Sequence, residues 1–369
     1  MAILVTGTAA STPSSENPMR PSDTSREQIL PFSADRDLRH RFMVVNEDIP
    51  GNLRFGVLLE VLDRLAGEVS VDYVHAFMPK ARVVTAALDE IVVRNVAGVG
   101  QDVRCCARIN HVGRTSMEVG IRVEAVPGPT HLASCYFTMV AREGSGPADR
   151  GLPNPALEPA DERERIRDAR ARERRAGQRG ASIAVVELPS PEEFQLISSL
   201  YREREAPGFS GLLASQLVTE TWERTYPEQD NPWKTIFGGY LMRRAYELSS
   251  ICAELVAPNR PVLAAVNRIN FLRPVQIGDK LHLISRVAYT SGSAVCVETW
   301  IERISRDRTA RALSNSCLFT FVNVDDALVP RDVPPIYPTN HAEELRYLAA
   351  RRNMRNLSGR TAKGWLAQL

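Results

Sequence analysis

Two polar loops, each leading into a glycine-opened apolar segment, hold the residues of this chain best suited to chemistry. The second loop reads Asn231-Pro232-Trp233-Lys234-Thr235-Ile236-Phe237-Gly238-Gly239; the first carries Asp48 ahead of Arg54-Phe55-Gly56. Seven residues beyond Gly56 stands Asp63, and seven beyond Gly239 stands Tyr246. At ~100° per residue, Leu58, Leu59, Val61, Leu62, Leu65, Ala66 and Val69 share one broad arc of a helix. Glu60, Arg64 and Glu68 form the opposite row, and Asp63 sits on the border. A carboxylate at such a margin is either plainly solvated or drawn into an interface, where partial desolvation raises its pKa toward that of a useful base. Glu247 lies in the middle of the second helix's polar face, with Arg243 one turn earlier, and reads as a surface ion pair.

Gly238 and Gly239 fit two tasks. Without Cβ atoms they let a ligand lie against a helix N-terminus, where backbone N–H groups and the dipole favour developing negative charge, the chemistry of an oxyanion hole. They equally suit close packing of that helix on its neighbours. Other machineries are missing from the sequence: there is no G-x-S-x-G elbow, H-E-x-x-H, P-loop or G-x-G-x-x-G. The histidines (His40, His75, His111, His131, His282, His341) lack ligand spacing, so neither a metal nor a cofactor is expected. The six cysteines show no C-x-x-C spacing and read as free thiols of a reducing compartment.

The elements that must position these residues come from an internal repeat. Ser134-Cys135-Tyr136-Phe137-Thr138-Met139-Val140 returns 182 residues later as Ser316-Cys317-Leu318-Phe319-Thr320-Phe321-Val322. Phe55-Gly56 matches Phe237-Gly238-Gly239, Val83 to Ile91 matches Val262 to Ile269, and the Gly113 turn matches that at Gly292. Each half begins with a helix (Gly56 to Val69; Gly239 to Leu255) followed by alternating segments such as Thr115 to Val123 and Val295 to Ile301, which read as half-buried antiparallel strands. One helix and about four long strands per half predict an α+β fold of two tandem hot-dog domains, each a long helix wrapped by a curved antiparallel sheet, together an internal pseudo-dimer.

The expected organisation is a disordered tail over 1–35, hot-dog domains over 36–142 and 191–330, a linker over 143–190 and a C-terminal extension over 331–369. Within the linker, Glu143 to Pro159 is rich in Gly and Pro, and Asp161 to Arg179 carries eight Arg against five acids. Pairs such as Asp161/Arg165 and Asp168/Arg172 predict a solvated helix crossing between domains, and no interleaved aromatics point to RNA. A short helix from Pro191 to Arg204, capped by Ser190, leads into the second half.

The 46 basic and 44 acidic residues leave a net charge of +2, so no global field points to nucleic acid. No apolar run reaches the ~20 residues of a membrane span, and a soluble, intracellular protein is expected. Residues 1–30 mix Arg20 and Arg26 with Glu16, Asp23 and Glu27, which makes a poor transit peptide.

Asn231-x-x-x-Thr235-Ile236-Phe237-Gly238-Gly239-Tyr240-Leu241-Met242-Arg243-x-Ala245-Tyr246-Glu247-Leu248 resembles the second-domain motif of the double hot-dog acyl-CoA thioesterases, specifically the mitochondrial acyl-CoA thioesterase 9 type. Arg54-Phe55-Gly56-Val57-Leu58-Leu59-Glu60-Val61-Leu62-Asp63-x-Leu65-Ala66 resembles that type's first-domain helix. Val84 to Ile91, Val112 to Val119 and Asn356-Leu357-Ser358-Gly359 agree as well, so the likeness spans about Leu38 to Gly359.

The resemblance implies hydrolysis of acyl-CoA to free acid and CoA, without a cofactor, at a site made of a loop Asn from one half and a helix acid from the other. The complete pair here is Asn231 with Asp63; the opposite pair, Asp48 with Tyr246, departs from the pattern and reads as a relic. Water held by Asp63 and oriented by Asn231 would attack the thioester carbonyl, with its oxygen met by the N–H of Gly239 or Gly238; a covalent anhydride on Asp63 is the other route. Gly56, Arg54, Thr235, Lys234 and Arg273 are the candidate substrate-binding residues, the basic ones for CoA phosphates. A homo-oligomer and a mitochondrial address are further implications, with the cytoplasm as alternative because of the N-terminal composition. A non-catalytic acyl-CoA sensor and an acyl-CoA hydratase or dehydratase are the competing functions; the last needs a site His, which neither loop nor helix supplies.

Overall fold

In the computed structural model, residues 19–144, 149–181 and 188–360 are described. The first half comprises β1 (Arg26–Leu30), α1 (Arg36–Phe42), α2 (Phe55–His75), β2 (Arg82–Val93), β3 (Asp102–Val112), β4 (Ser116–Val126) and β5 (Thr130–Glu143). Between the halves lie β6 (Arg150–Gly151), α3 (Glu162–Ala181), α4 (Pro191–Glu205) and β7 (Leu212–Leu213). The second half comprises β8 (Val218–Arg224), α5 (Gly238–Ala253), β9 (Arg260–Phe271), β10 (Lys280–Ser291), β11 (Ala294–Ile304) and β12 (Arg311–Val324), followed by β13 (Ile336–Tyr337) and α6 (His341–Arg360).

The long strands form one antiparallel sheet in the order β1-β3-β4-β5-β2-β9-β12-β11-β10-β8. Its midpoint is the β2–β9 pairing, where Ala87 faces Asn270 and Val92 faces Ala265. A local two-fold axis there exchanges the halves, and α2 packs against α5 inside the curved sheet. This is the tandem hot-dog arrangement that the repeat predicts. Each half gains one strand the pattern does not show, β1 pairing with β3 and β8 with β10. Both are short edge strands whose burial follows their neighbours.

The core is continuous across the halves. Leu58, Leu59, Leu62 and Leu65 on α2 are at most 1% exposed, each such side chain stabilising the fold by roughly 1.5–3 kcal/mol. Because α2 is wrapped by the sheet and covered by α5, its polar row is not solvated as predicted: Glu60 is 8% exposed and pairs with Arg243 of α5.

Three boundaries also move. The tail cannot extend to residue 35, since β1 is hydrogen-bonded to β3 and Leu30 and Phe32 are fully buried; residues 1–18 lie outside the described part. α3 does not cross solvent. It docks on the outer face of the first half, where Asp168 bonds His111, Arg174 pairs with Glu118, and the Arg174 guanidinium lies 3.8 Å over the Tyr136 ring. Isolated charge pairs make a helix soluble, but the acids and aromatic that receive them stand on strands remote in sequence. α4 has the expected Ser190 cap, completed by Glu193 into a capping box.

Candidate active site

Asp63 is not at a solvated border. It is 2% exposed in the middle of α2, facing the N-terminus of α5 from the other half. Thr85 of β2 donates its hydroxyl to Asp63 Oδ1 at 2.8 Å, and the Gly239 backbone N–H donates to the same carboxylate. Burial pushes the carboxyl up from 3.8 to about 6, even though the bonds from Thr85 and Gly239 and the charge of Arg64 favour the ionised form. The side chain is therefore ionised at neutral pH and basic enough to accept a proton.

Both glycines at the start of α5 are required by close approach. A Cβ on Gly238 would stand 3.0 Å from Asp63 Oδ2, and one on Gly239 would stand 2.9 Å from Glu60 Cα. Helix packing and carboxylate binding are thus one arrangement: α5 meets α2 end-on through glycine, and the Asp63 carboxylate fills the anion site of the helix terminus. The Gly239 N–H is engaged with Asp63, which changes the expectation that it meets substrate. Gly238, at the first helical position, has no intrahelical acceptor for its N–H.

The Asn231 loop docks beside this carboxylate. Trp233 donates its indole N–H to the Val83 carbonyl at 3.1 Å, two residues before Thr85 on β2. Asn231 shapes the loop from within: its Oδ1 accepts from the N–H groups of Trp233 and Thr235 at 2.9 and 3.3 Å, and its Nδ2 donates to Thr235 Oγ1 at 2.8 Å. No hydrogen bond joins Asn231 to Asp63 among the described residues. One N–H of the carboxamide is left for a guest. Lys234, with φ 62°, turns outward and pairs at 3.3 Å with Asp230. Arg273 is exposed beyond the end of β9.

Arg54 and Gly56 belong elsewhere. Arg54 Nη2 lies 2.5 Å from Glu247, which also receives Arg243 at 3.0 Å and Arg244 at 2.7 Å. Glu247 is accordingly no surface pair. Its side chain is 19% exposed in a cluster that clamps the halves; burial pushes its carboxyl up, but Arg243 and Arg54 hold it below the ordinary value. Gly56 faces Tyr246, whose ring would lie 3.0 Å from a Cβ there. At this mirror position the ring packs against Phe55, Phe319 and Phe321, while Asp48 is exposed. The residue that sequence reasoning passed over is Thr85. Its signal is a hydroxyl on the strand parity of buried Val83, where the pattern calls for an apolar side chain.

The sequence profile of the Thioesterase superfamily matches residues 51–130 and 234–309, the helix and following strands of each half. The chain is 30% identical over 365 residues to human acyl-coenzyme A thioesterase 9, mitochondrial, covering 93% of this chain and 79% of that one. It is 29% identical to mouse acyl-coenzyme A thioesterase 10, mitochondrial, covering 92% and 79%. Among solved structures, a putative oleoyl thioesterase from Lactobacillus plantarum superposes with a TM-score of 0.50 over 81% of this chain and 95% of that one, at 10% identity, which attests the fold. A shared length of this extent, carried by the same tandem repeat, means that the chain belongs to the acyl-CoA thioesterase 9 family of double hot-dog proteins.

Proposed function

We propose that this chain hydrolyses acyl-CoA thioesters at one site, shared between its halves, with Asp63 as the general base. The observation that carries the reading is a fully buried carboxylate lifted to about 6 while hydrogen-bonded across the seam by the Gly239 N–H of the other half. Asp63 takes a proton from water as its oxygen attacks the thioester carbonyl carbon. The carbonyl electron pair moves onto oxygen, where the Gly238 N–H at the α5 terminus meets the charge. Collapse of the tetrahedral intermediate breaks the C–S bond, and the thiolate recovers the proton from Asp63. Thr85 and Gly239 keep the carboxylate aimed, and the remaining Asn231 N–H orients the water or the carbonyl. In the shielded site proton removal by a base near neutrality accounts for turnover without an anhydride on Asp63.

Arg54 is reassigned from CoA binding to the inter-half cluster with Glu247. Lys234, and Arg273 beyond β9, stay as the cations proposed for CoA phosphates, with Thr235 holding the loop. The test is release of free thiol from a panel of acyl-CoAs by the full chain and by Asp63→Asn. Turnover by the first and not by the second supports the reading; turnover by neither supports a binding protein instead. A mitochondrial address and self-association belong to the same proposal. The mitochondrial names of the human and mouse relatives support the address, and light scattering on the purified chain tests association.

A further inference from the structure

The local two-fold that builds the Asp63 site builds a second cleft opposite it. Exchange of Ala87–Asn270 with Val92–Ala265 across the β2–β9 seam relates β2 to β9 by 178 residues. The same step carries the Asp89–Thr138 hydrogen bond onto its counterpart Asn267–Thr320. It places Leu263 where Thr85 stands, while Tyr246 replaces Asp63 and Gly56 replaces Gly238, each glycine with its partner atom 3.0 Å from a Cβ position. The catalytic acid and its hydroxyl donor are both gone from this side, yet the space is not filled. A cavity of about 100 Å³ lies between the halves, lined by Leu53, Phe55, Leu132, Leu263 and Tyr246, with Arg260 at its edge and the exposed Glu254 on the rim.

Two polar groups at this cavity lack partners. Tyr246 is 9% exposed, and its hydroxyl makes no hydrogen bond to the described residues. Arg260 Nε is buried without an acceptor, although Arg260 Nη2 donates to the Pro50 carbonyl. Buried donors of this kind cost stability unless something accepts from them. An apolar cavity of about 150 Å³ takes benzene, so this one has room for about four heavy atoms.

We propose that the cavity is a second, non-hydrolytic binding site for a short acyl group whose carbonyl or carboxylate oxygen accepts from Tyr246 and Arg260. The choice of occupant rests on the thioesterase reading, because the two-fold makes this cleft the image of the acyl-CoA site. With no base beside it, a bound thioester stays intact. The same head-and-tail chemistry is offered by an acyl-CoA and by the acid released from it.

Equilibrium dialysis of full-length Asp63→Asn with radiolabelled butyryl-CoA tests the proposal. Two equivalents per chain are expected, falling to one in Asp63→Asn/Ser250→Leu, which fills the cavity from α5. Asp63→Asn/Tyr246→Phe should keep both equivalents but weaken one of them about tenfold, the effect of losing one buried hydrogen bond. This gives a second reading should the larger side chain disturb folding. Butyrate displacing only the second equivalent assigns the site to the released acid, whereas butyrate without effect assigns it to the thioester. A single equivalent in Asp63→Asn, unchanged by Ser250→Leu, overturns the proposal while wild-type turnover leaves the Asp63 site standing. Absence of wild-type turnover on any acyl-CoA overturns both.

Discussion

Replacing Asp63 by Asn should remove activity and at the same time make the protein more stable at neutral pH. The folded carboxyl sits at about 6 against 3.8 when solvated, so the native state holds its proton more tightly than the unfolded chain does. The stability associated with the neutral form is fully present below pH 3.8 and is lost as pH rises through 6. Integrating the linkage between these two values, wild type loses about 2 kcal/mol at this residue between pH 4.5 and pH 7.5. Asn has no charge to bury and loses nothing over that range. It keeps the bond from Thr85 but turns an NH₂ toward the Gly239 N–H, a pH-independent cost of about 1–2 kcal/mol. Urea unfolding of both proteins across pH 4.5–7.5 isolates the residue, because all other titrations cancel in the difference. The difference should shift by about 2 kcal/mol in favour of Asn as pH rises, while kcat at pH 7.5 drops on the order of 10²-fold or more. Parallel stability curves would show that Asp63 is not held at a raised pKa, and the argument for a buried base would fail with them.

Wild-type kcat/KM should rise with pH through a midpoint near 6, following ionisation of Asp63; a flat profile from pH 5 to 8 would count against that base. Thr85→Val removes a bond that favours the carboxylate, so the midpoint should move to higher pH, read from the same profile. Gly238→Ala places a methyl 3.0 Å from Asp63 Oδ2 and should cut kcat by at least about tenfold with the melting temperature little changed, measured by thiol release and thermal unfolding. Glu247→Gln strips the acid from between Arg54, Arg243 and Arg244 and should destabilise by about 1–3 kcal/mol in denaturant titration; a change under half of that would return Glu247 to the surface.

Periodicity and self-similarity in the sequence determine the tandem halves, the long helix in each, the strands that wrap it, and the pairing of one loop with the opposite helix acid. They do so because burial of one face imposes a 3.6- or 2-residue repeat that survives duplication, and because close packing of two helices calls for glycine at a fixed place. Only the tertiary structure decides how deeply each polar residue lies. Glu60 and Glu247 read as surface charges from their own helices, yet both are enclosed, since helical phase records one neighbour and α2 and α5 each have two. Asp63 shows the same effect at the site: its position on the arc is legible, but its raised pKa comes from burial under a helix 175 residues further along the chain, whose Gly238 begins α5. Thr85, Trp233 and the cavity at Tyr246 come from strands and loops brought together by the β2–β9 seam, a contact with no local signature. Local periodicity sets which side of an element turns inward, and long-range packing sets what it finds there.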